Sequence, residues 1–386
     1  MESSKSGNES WKSLSTFFKK TDPFFDKTLF LEGYDISSNV YAITGDYVTI
    51  IDPGNDYTVF LDLFSSGFKP SDIRKVVLTH AHYEHVMGLF ELMRYPGLAE
   101  NGGIEVICHE SCPAGLREAL GSLGPFHSAT GVGGGETLNL SGFKLDVIHA
   151  PGHTMDSICL YHPASRTLFT GDAVLPYAVA SPDPAAGGRI EYQLFSLRSI
   201  SGMEIDNLLP GHGAPVESEA KKVLLGTYTG IIRKMIGLET AWLEGAAKLA
   251  QKGYLVEAMF CCDKELEANE NNLMALELKA SCLNDLGRFH EATGAFERLL
   301  EYRPGSTFAL IGKGYAFMGL GRYEESLACF DRALKKDPDS REALMYRGMA
   351  LYLSGRIDEA MEVANFQEEF VARFKDWVRE RDRSPG

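Results

Sequence analysis

Long apolar runs are missing from this sequence. No stretch approaches the roughly 18 apolar residues that a membrane-spanning helix requires, and the opening MESSKSGNESWKSLS has no apolar segment of signal-peptide length. The expectation is a cytoplasmic protein with no membrane partner. Positive charge is also scarce. Lys and Arg total 38 against 53 Asp and Glu, a net charge of -15, so there is no basic surface of the kind that tracks a phosphate backbone, and nucleic acid is excluded as a partner. Cysteines number seven, odd and scattered, and Cys261 and Cys262 are adjacent where a helix is expected. A disulfide framework is therefore not expected, and reduced packing thiols are. What is present is ordinary globular material: 386 residues, 44% hydrophobic, enough for two or three domains.

Residues 1–28 are polar apart from Phe17, Phe18, Phe24 and Phe25, and read as a frayed N-terminal arm that docks late. From Leu29 to Val216 short β-branched runs (VYAI, YVTIID, RKVVLTH, IEVICH, FKLDVIHAPGH, RTLFTGD, NLLPGH) alternate with helical stretches such as YTVFLDLFSSG and HVMGLFELMRY, an α/β pattern. Several of these strands stop at His or Asp, where sheets of this sort place their chemistry.

Residues 217–238 read as a connecting helix, and strand signals are gone from there to the end. Gly253, Gly287, Gly321 and Gly355 stand 34 residues apart, opening the parallel texts GYLVEA, GRFHEA, GRYEES and GRIDEA. Ala258, Ala292, Ser326 and Ala360 keep register as the small residue where two helices cross, and Trp242, Leu276, Leu310 and Leu344 share a position on the preceding helix. A 34-residue helix-turn-helix period with this content resembles the tetratricopeptide repeat. It implies about four repeats over residues 239–386, with Phe366, Phe370, Phe374, Trp377 and Val378 continuing as an apolar capping helix. Repeat geometry would line the groove with Leu243, Ile311, Tyr315, Met318, Met345, Met349 and Tyr352. Its occupant is an apolar segment of a protein partner, a second copy of the chain, or the terminal helix itself.

THAHYEH, from Thr79 to His85, packs three histidines and a glutamate into seven residues. Imidazoles repel when protonated and gain little from crowding in a solvated loop, so such density implies a cation. Three later strands end on PGH at His153, TGD at Asp172 and PGH at His212, each with a glycine that permits close backbone approach.

The order HxHxEH, His, Asp, His, preceded by IDPG at Asp52, resembles the metallo-β-lactamase fold hydrolases over about residues 29–216. The fold implied is an αββα sandwich, here followed by an all-α repeat solenoid. The resemblance further implies that His80, His82 and His153 hold one divalent ion and that Glu84, His85 and His212 hold a second. Asp172 would bridge them, and Asp52 would orient a ligand from behind. Zinc is the expected ion, with manganese or iron as alternatives. Glu84 departs from the family's HxHxDH, and Asp156 in GHTMDS stands where many relatives have glycine. Glu84 and Asp172 are the expected proton acceptors for attack on a small ester, thioester or lactone, as in the glyoxalase II and lactonase branch. In the loop Pro176–Phe195, Tyr177, Arg189 and Tyr192 are candidate substrate contacts. His109, His127, His149, His162 and His290 read as structural, as does the Cys108, His109 and Cys112 group. Two other classes stay open: a mononuclear iron enzyme resembling the persulfide dioxygenases, and an interaction protein whose repeats act while the catalytic domain is idle.

Overall fold

The computed structural model describes residues 11–363, except 56–57, 96, 99–101 and 123–127, together with 366 and 372. The chain forms two compact units, residues 1–231 and 232–386. Among the described residues no helix is long and apolar enough to cross a membrane.

In the first unit one sheet runs in sequence order through β1 (Lys12–Ser13), β2 (Thr28–Leu31), β3 (Val40–Thr44), β4 (Val48–Ile51), β5 (Ile73–Val77), β6 (Glu105–His109) and β7 (Ser128–Val132). A second sheet holds β8 (Thr137–Leu140), β9 (Phe143–His149), β10 (Ile158–His162), β11 (Thr167–Gly171) and β12 (Asn207–Pro210). The helices are α1 (Leu14–Phe18), α2 (Pro23–Lys27), α3 (Thr58–Ser65), α4 (Tyr83–Leu92), α5 (Ala114–Gly121) and α6 (Ile190–Ser201), and α7 (Ala220–Ile236) spans the division between the units at residue 231. The central strands β3 and β4 are buried on both faces because both are covered. Along β3, Tyr41 and Ile43 join Val147, Leu160, Phe169 and Leu209 of the second sheet in the inter-sheet core. Ala42, on the opposite face, joins Phe60, Leu63, Leu89 and Leu92 of α3 and α4. The result is the expected αββα sandwich.

Strand direction positions the site. β4 through β7 pair in parallel, so Asp52 after β4 and Thr79–His85 after β5 emerge at one edge. β11 and β12 are also parallel, bringing Asp172 and His212 to their shared C-terminal end.

Residues 12–28 are not a frayed arm. β1 pairs with β2, and Leu14, Phe18, Phe24 and Phe25 lie in the inter-sheet core. Asp22 caps α2 by accepting from the Phe24 amide at 2.8 Å. The Phe24 ring stacks on His162 with centroids 4.0 Å apart. Residues 1–10 of the expected arm lie outside the described residues. Burial pushes the His162 pKa down, with Asp22 acting weakly in the opposite direction. The unfolded chain therefore binds this proton more readily, so His162 contributes stability above its unfolded pKa of about 6.5 that is lost as pH falls below it. The resistance of the first unit to denaturant is expected to fall between pH 7 and 5.5, and His162→Gln to flatten that slope.

The second unit contains α8 (Trp242–Gln251), α9 (Leu255–Ala268), α10 (Leu273–Asp285), α11 (Phe289–Tyr302), α12 (Thr307–Gly319), α13 (Tyr323–Leu334), α14 (Arg341–Leu353) and α15 (Ile357–Glu362). Gly253, Gly287, Gly321 and Gly355 all take positive φ, between 69° and 85°, and end the first helix of each pair. The amides of Arg288, Arg322 and Arg356 close those turns onto the carbonyls of Leu283, Phe317 and Leu351 at 2.9 Å. Ala258, Ala292, Ser326 and Ala360 are fully buried at the crossings. Of the residues expected to line a groove, Ile311, Met318 and Met345 are instead buried in a cluster that includes Phe330 and Phe366. Leu243, Tyr315 and Met349 are half-buried and Tyr352 is exposed. Ile311, Met318 and Met345 thus pack inward between helices, and Phe366 packs where a side chain on Gly348 would clash. Phe370, Phe374, Trp377 and Val378 of the expected cap lie outside the described residues.

Candidate metal centre

All seven side chains singled out at the strand ends come together. His80, His82 and His153 form one group, and Glu84, His85, Asp172 and His212 form another; within each, potential donor atoms lie within 4.8 Å of one another. Asp172 links the groups, with carboxylate oxygens 3.4 Å from His85 Nε2, 3.7 Å from His212 Nε2 and 3.8 Å from His153 Nε2. His85 is sealed in the interior, whereas His82, Glu84 and His212 keep 23%, 28% and 31% side-chain exposure and form the open face.

The outer hydrogen bonds decide which ring nitrogen faces inward. Thr79 Oγ1 donates to Asp52 Oδ2 at 2.6 Å and accepts from His80 Nδ1 at 3.2 Å, which leaves His80 Nε2 bare. His85 Nδ1 donates to Asp52 Oδ2 at 2.8 Å. His153 Nδ1 donates to the Ser181 carbonyl at 2.8 Å, and His82 Nε2 donates to Asp183 Oδ2 at 3.1 Å. His153 Nε2 and His82 Nδ1 then face each other 3.1 Å apart, and two lone pairs at that distance need a proton or a cation between them. Among the described residues His80 Nε2, His85 Nε2 and Asp172 Oδ1 are buried without a hydrogen-bond partner. Buried polar atoms are rarely left so. Inward-facing imidazole nitrogens with their other nitrogens anchored are the arrangement that divalent ions accept, so the donor set fits the metals that the sequence implies.

Electrostatics divide the cluster. Burial and the neighbouring His85 push the His80 pKa well down, so that ring is neutral. Burial also lowers His153. Burial opposes charge on His85, but the carboxylates of Asp52 and Asp172 outweigh it and hold its pKa up at about 10. Asp172 is correspondingly held well below the usual carboxylate range, since His85 outweighs its burial. A cation entering beside His85 would therefore displace a proton. Space is tight: a side chain on Gly211 would come within 2.3 Å of Asp172 Oδ1.

Residues 33–224 match the family model described as the metallo-beta-lactamase superfamily. A probable metallo-hydrolase of Methanocaldococcus jannaschii is 31% identical over 198 residues, which are 47% of this chain and 91% of that protein. The chain belongs to the metallo-beta-lactamase superfamily. Residues 280–325 and 311–365 match a tetratricopeptide repeat model, so this metallo-beta-lactamase domain precedes true repeats. An atrochrysone carboxyl ACP thioesterase of Paecilomyces divaricatus is 28% identical over 190 residues, 48% of this chain and 53% of that protein. The chain spans about half the length of such fungal relatives. A metallo-beta-lactamase family protein from Thermus thermophilus has a similar solved structure, with a TM-score of 0.43, 20% identity, and 59% of this chain and 94% of that one covered.

Asp183 carries no site signal in the sequence of this superfamily member, although it lies within the loop Pro176–Phe195. Of the candidates in that loop, Tyr177 is highly exposed beside Gly213, while Arg189 and Tyr192 are exposed at the start of α6. Asp156 is buried, and its pKa is raised by that burial against an opposing hydrogen bond from Thr154. His109 stacks on His149 with centroids 3.9 Å apart, Cys108 and Cys112 are free and buried, and His290 is exposed on α11. His127 lies outside the described residues.

Proposed function

We propose that the chain is a metal-dependent hydrolase of a small ester, thioester or lactone, with the repeats serving a protein partner or self-association. The observation that carries the reading is the convergence of seven donor side chains from distant strand ends on one half-open cluster. In this reading His80, His82 and His153 would hold one divalent ion and Glu84, His85 and His212 a second, with Asp172 within reach of both groups. Zinc suits this nitrogen-rich set, with manganese or iron as alternatives. Ions held there lower the pKa of water from 15.7 toward about 7 and polarise a carbonyl. Substrate approaches from the face of His82, Glu84 and His212, because the opposite side is closed by buried His80 and His85. Glu84, on that face, would accept the proton that the attacking water loses as its oxygen bonds to the carbonyl carbon, and Asp172 would share that role; the proton then passes to the departing alkoxide or thiolate as the carbonyl re-forms. Asp52 keeps His85 Nδ1 engaged throughout. Thioesterase and metallo-hydrolase are the activities named for two relatives, which favours a thioester among the three candidates. Seven free cysteines suit a reducing, cytoplasmic compartment.

The purified chain is expected to hydrolyse a thioester or lactone, to stop when a chelator removes metal, and to recover with zinc or manganese. Hydrolysis that survives complete metal removal contradicts the reading. Glu84→Asp, which restores the family's shorter carboxylate, is expected to leave metal content equal or higher and kcat within about tenfold. A metal-free Glu84→Asp protein would show that Glu84 has been misplaced.

A further inference from the structure

The loop between β11 and α6 grips two imidazoles that belong to different sheets. Ser181 accepts from His153 Nδ1 at 2.8 Å through its carbonyl, and Asp183 Oδ2 accepts from His82 Nε2 at 3.1 Å. The Asp183 carboxylate is itself fixed, since its Oδ1 accepts from the Ala185 amide at 2.9 Å. The backbone is fastened as well. The Asp183 amide donates to the His153 carbonyl at 2.8 Å, the Gly188 amide donates to the Asp183 carbonyl at 2.7 Å, and the Met155 amide donates to the Ala186 carbonyl at 2.9 Å. Gln193 Nε2 ties the start of the loop through the Ala180 carbonyl at 2.9 Å. Gly188 has to be glycine, because a Cβ there would lie 2.1 Å from the His153 carbonyl.

His82 differs from His80 and His153, the two imidazoles beside it. It points its Nδ1 inward, and it keeps about a quarter of its side chain exposed. Its outward Nε2 would otherwise share water, and a ring so placed exchanges its proton between the two nitrogens. We propose that Asp183 is the positioning residue of His82: its carboxylate holds the proton on Nε2, keeps Nδ1 free to bind, and through one short loop sets His82 and His153 in mutual register. A carboxylate in this role also raises the basicity of the inward nitrogen.

The proposal has two consequences, of which the second rests on the metal reading. In the metal-free full chain, long-range nitrogen–proton NMR of ¹⁵N-histidine protein, with His82 assigned by its loss in His82→Gln, is expected to show His82 protonated at Nε2. Asp183→Ala is expected to convert that signal to a mixture of tautomers. Zinc affinity, measured by competition with a coloured chelator, is expected to fall about 10- to 100-fold in Asp183→Ala. Asp183→Asn, which keeps an acceptor but loses the charge, should fall between the two. An Asp183→Ala chain that remains folded, with zinc affinity within about twofold of the unaltered protein and an unchanged His82 tautomer, overturns the proposal. If Asp183→Ala does not fold, the same two outcomes are read from Asp183→Asn. Failure of the unaltered chain to bind zinc would count against the metal reading instead, and the tautomer would then decide the role of Asp183 alone.

Discussion

Asp172→Ala is expected to remove both hydrolysis and most of the bound metal. This carboxylate emerges where β11 and β12 run side by side, almost fully buried, within 3.8 Å of nitrogens from His85, His153 and His212. It therefore touches both donor groups. Its negative charge also balances imidazoles that would otherwise face each other, which is why its pKa is held so low. On the proposed metal reading, losing this carboxylate should cost the several kcal/mol that metal polarisation would supply, on the order of 10³-fold or more in kcat/KM. Circular dichroism and thermal unfolding of the same sample separate this from simple misfolding. An Asp172→Ala protein with full metal content and activity within about tenfold would show that the carboxylate is peripheral.

Phe24→Ala is expected to be among the most destabilising single changes in the first unit. The ring is about 1% exposed and is enclosed by Phe25, Phe143, Phe169 and the stacked His162. Truncating a buried Phe costs about 3–5 kcal/mol, part transfer and part cavity, which in a unit of this size lowers Tm by roughly 6–20 °C. Thermal unfolding of the full chain reads this directly. A shift corresponding to less than about 1 kcal/mol would mean that residues 14–28 contribute little to the core, as a late-docking arm would.

Much of this architecture is legible in the sequence because the chemistry repeats a local grammar. RKVVLTH, RTLFTGD and NLLPGH are buried strands running straight into a ligand-type residue, so each names both an element and its functional end. The 34-residue glycine register is equally direct, since Gly253, Gly287, Gly321 and Gly355 each take the positive φ that ends a helix. The N-terminal segment is different. LSTFF and PFFDK are single helical turns, too short to show a period, and their burial comes from tertiary packing against the second sheet. β8, TLNL, half exposed at the end of its sheet, likewise offers too few alternations. The groove residues depart from expectation for a related reason: a helix face pattern shows which residues are apolar, but not whether a neighbouring helix covers them, and Met318 and Met345 are covered. Asp183 carries no spacing signal at all. It sits among prolines in an irregular loop, and only the folded backbone brings it to a histidine 101 positions earlier.

The central claim is that the strand ends converge to hold divalent metal. Elemental analysis of protein purified without added metal tests it most directly. About two zinc or manganese ions per chain is the result expected. One iron per chain would move the protein toward oxygen-dependent chemistry, and no metal in carefully handled, folded protein would contradict the account.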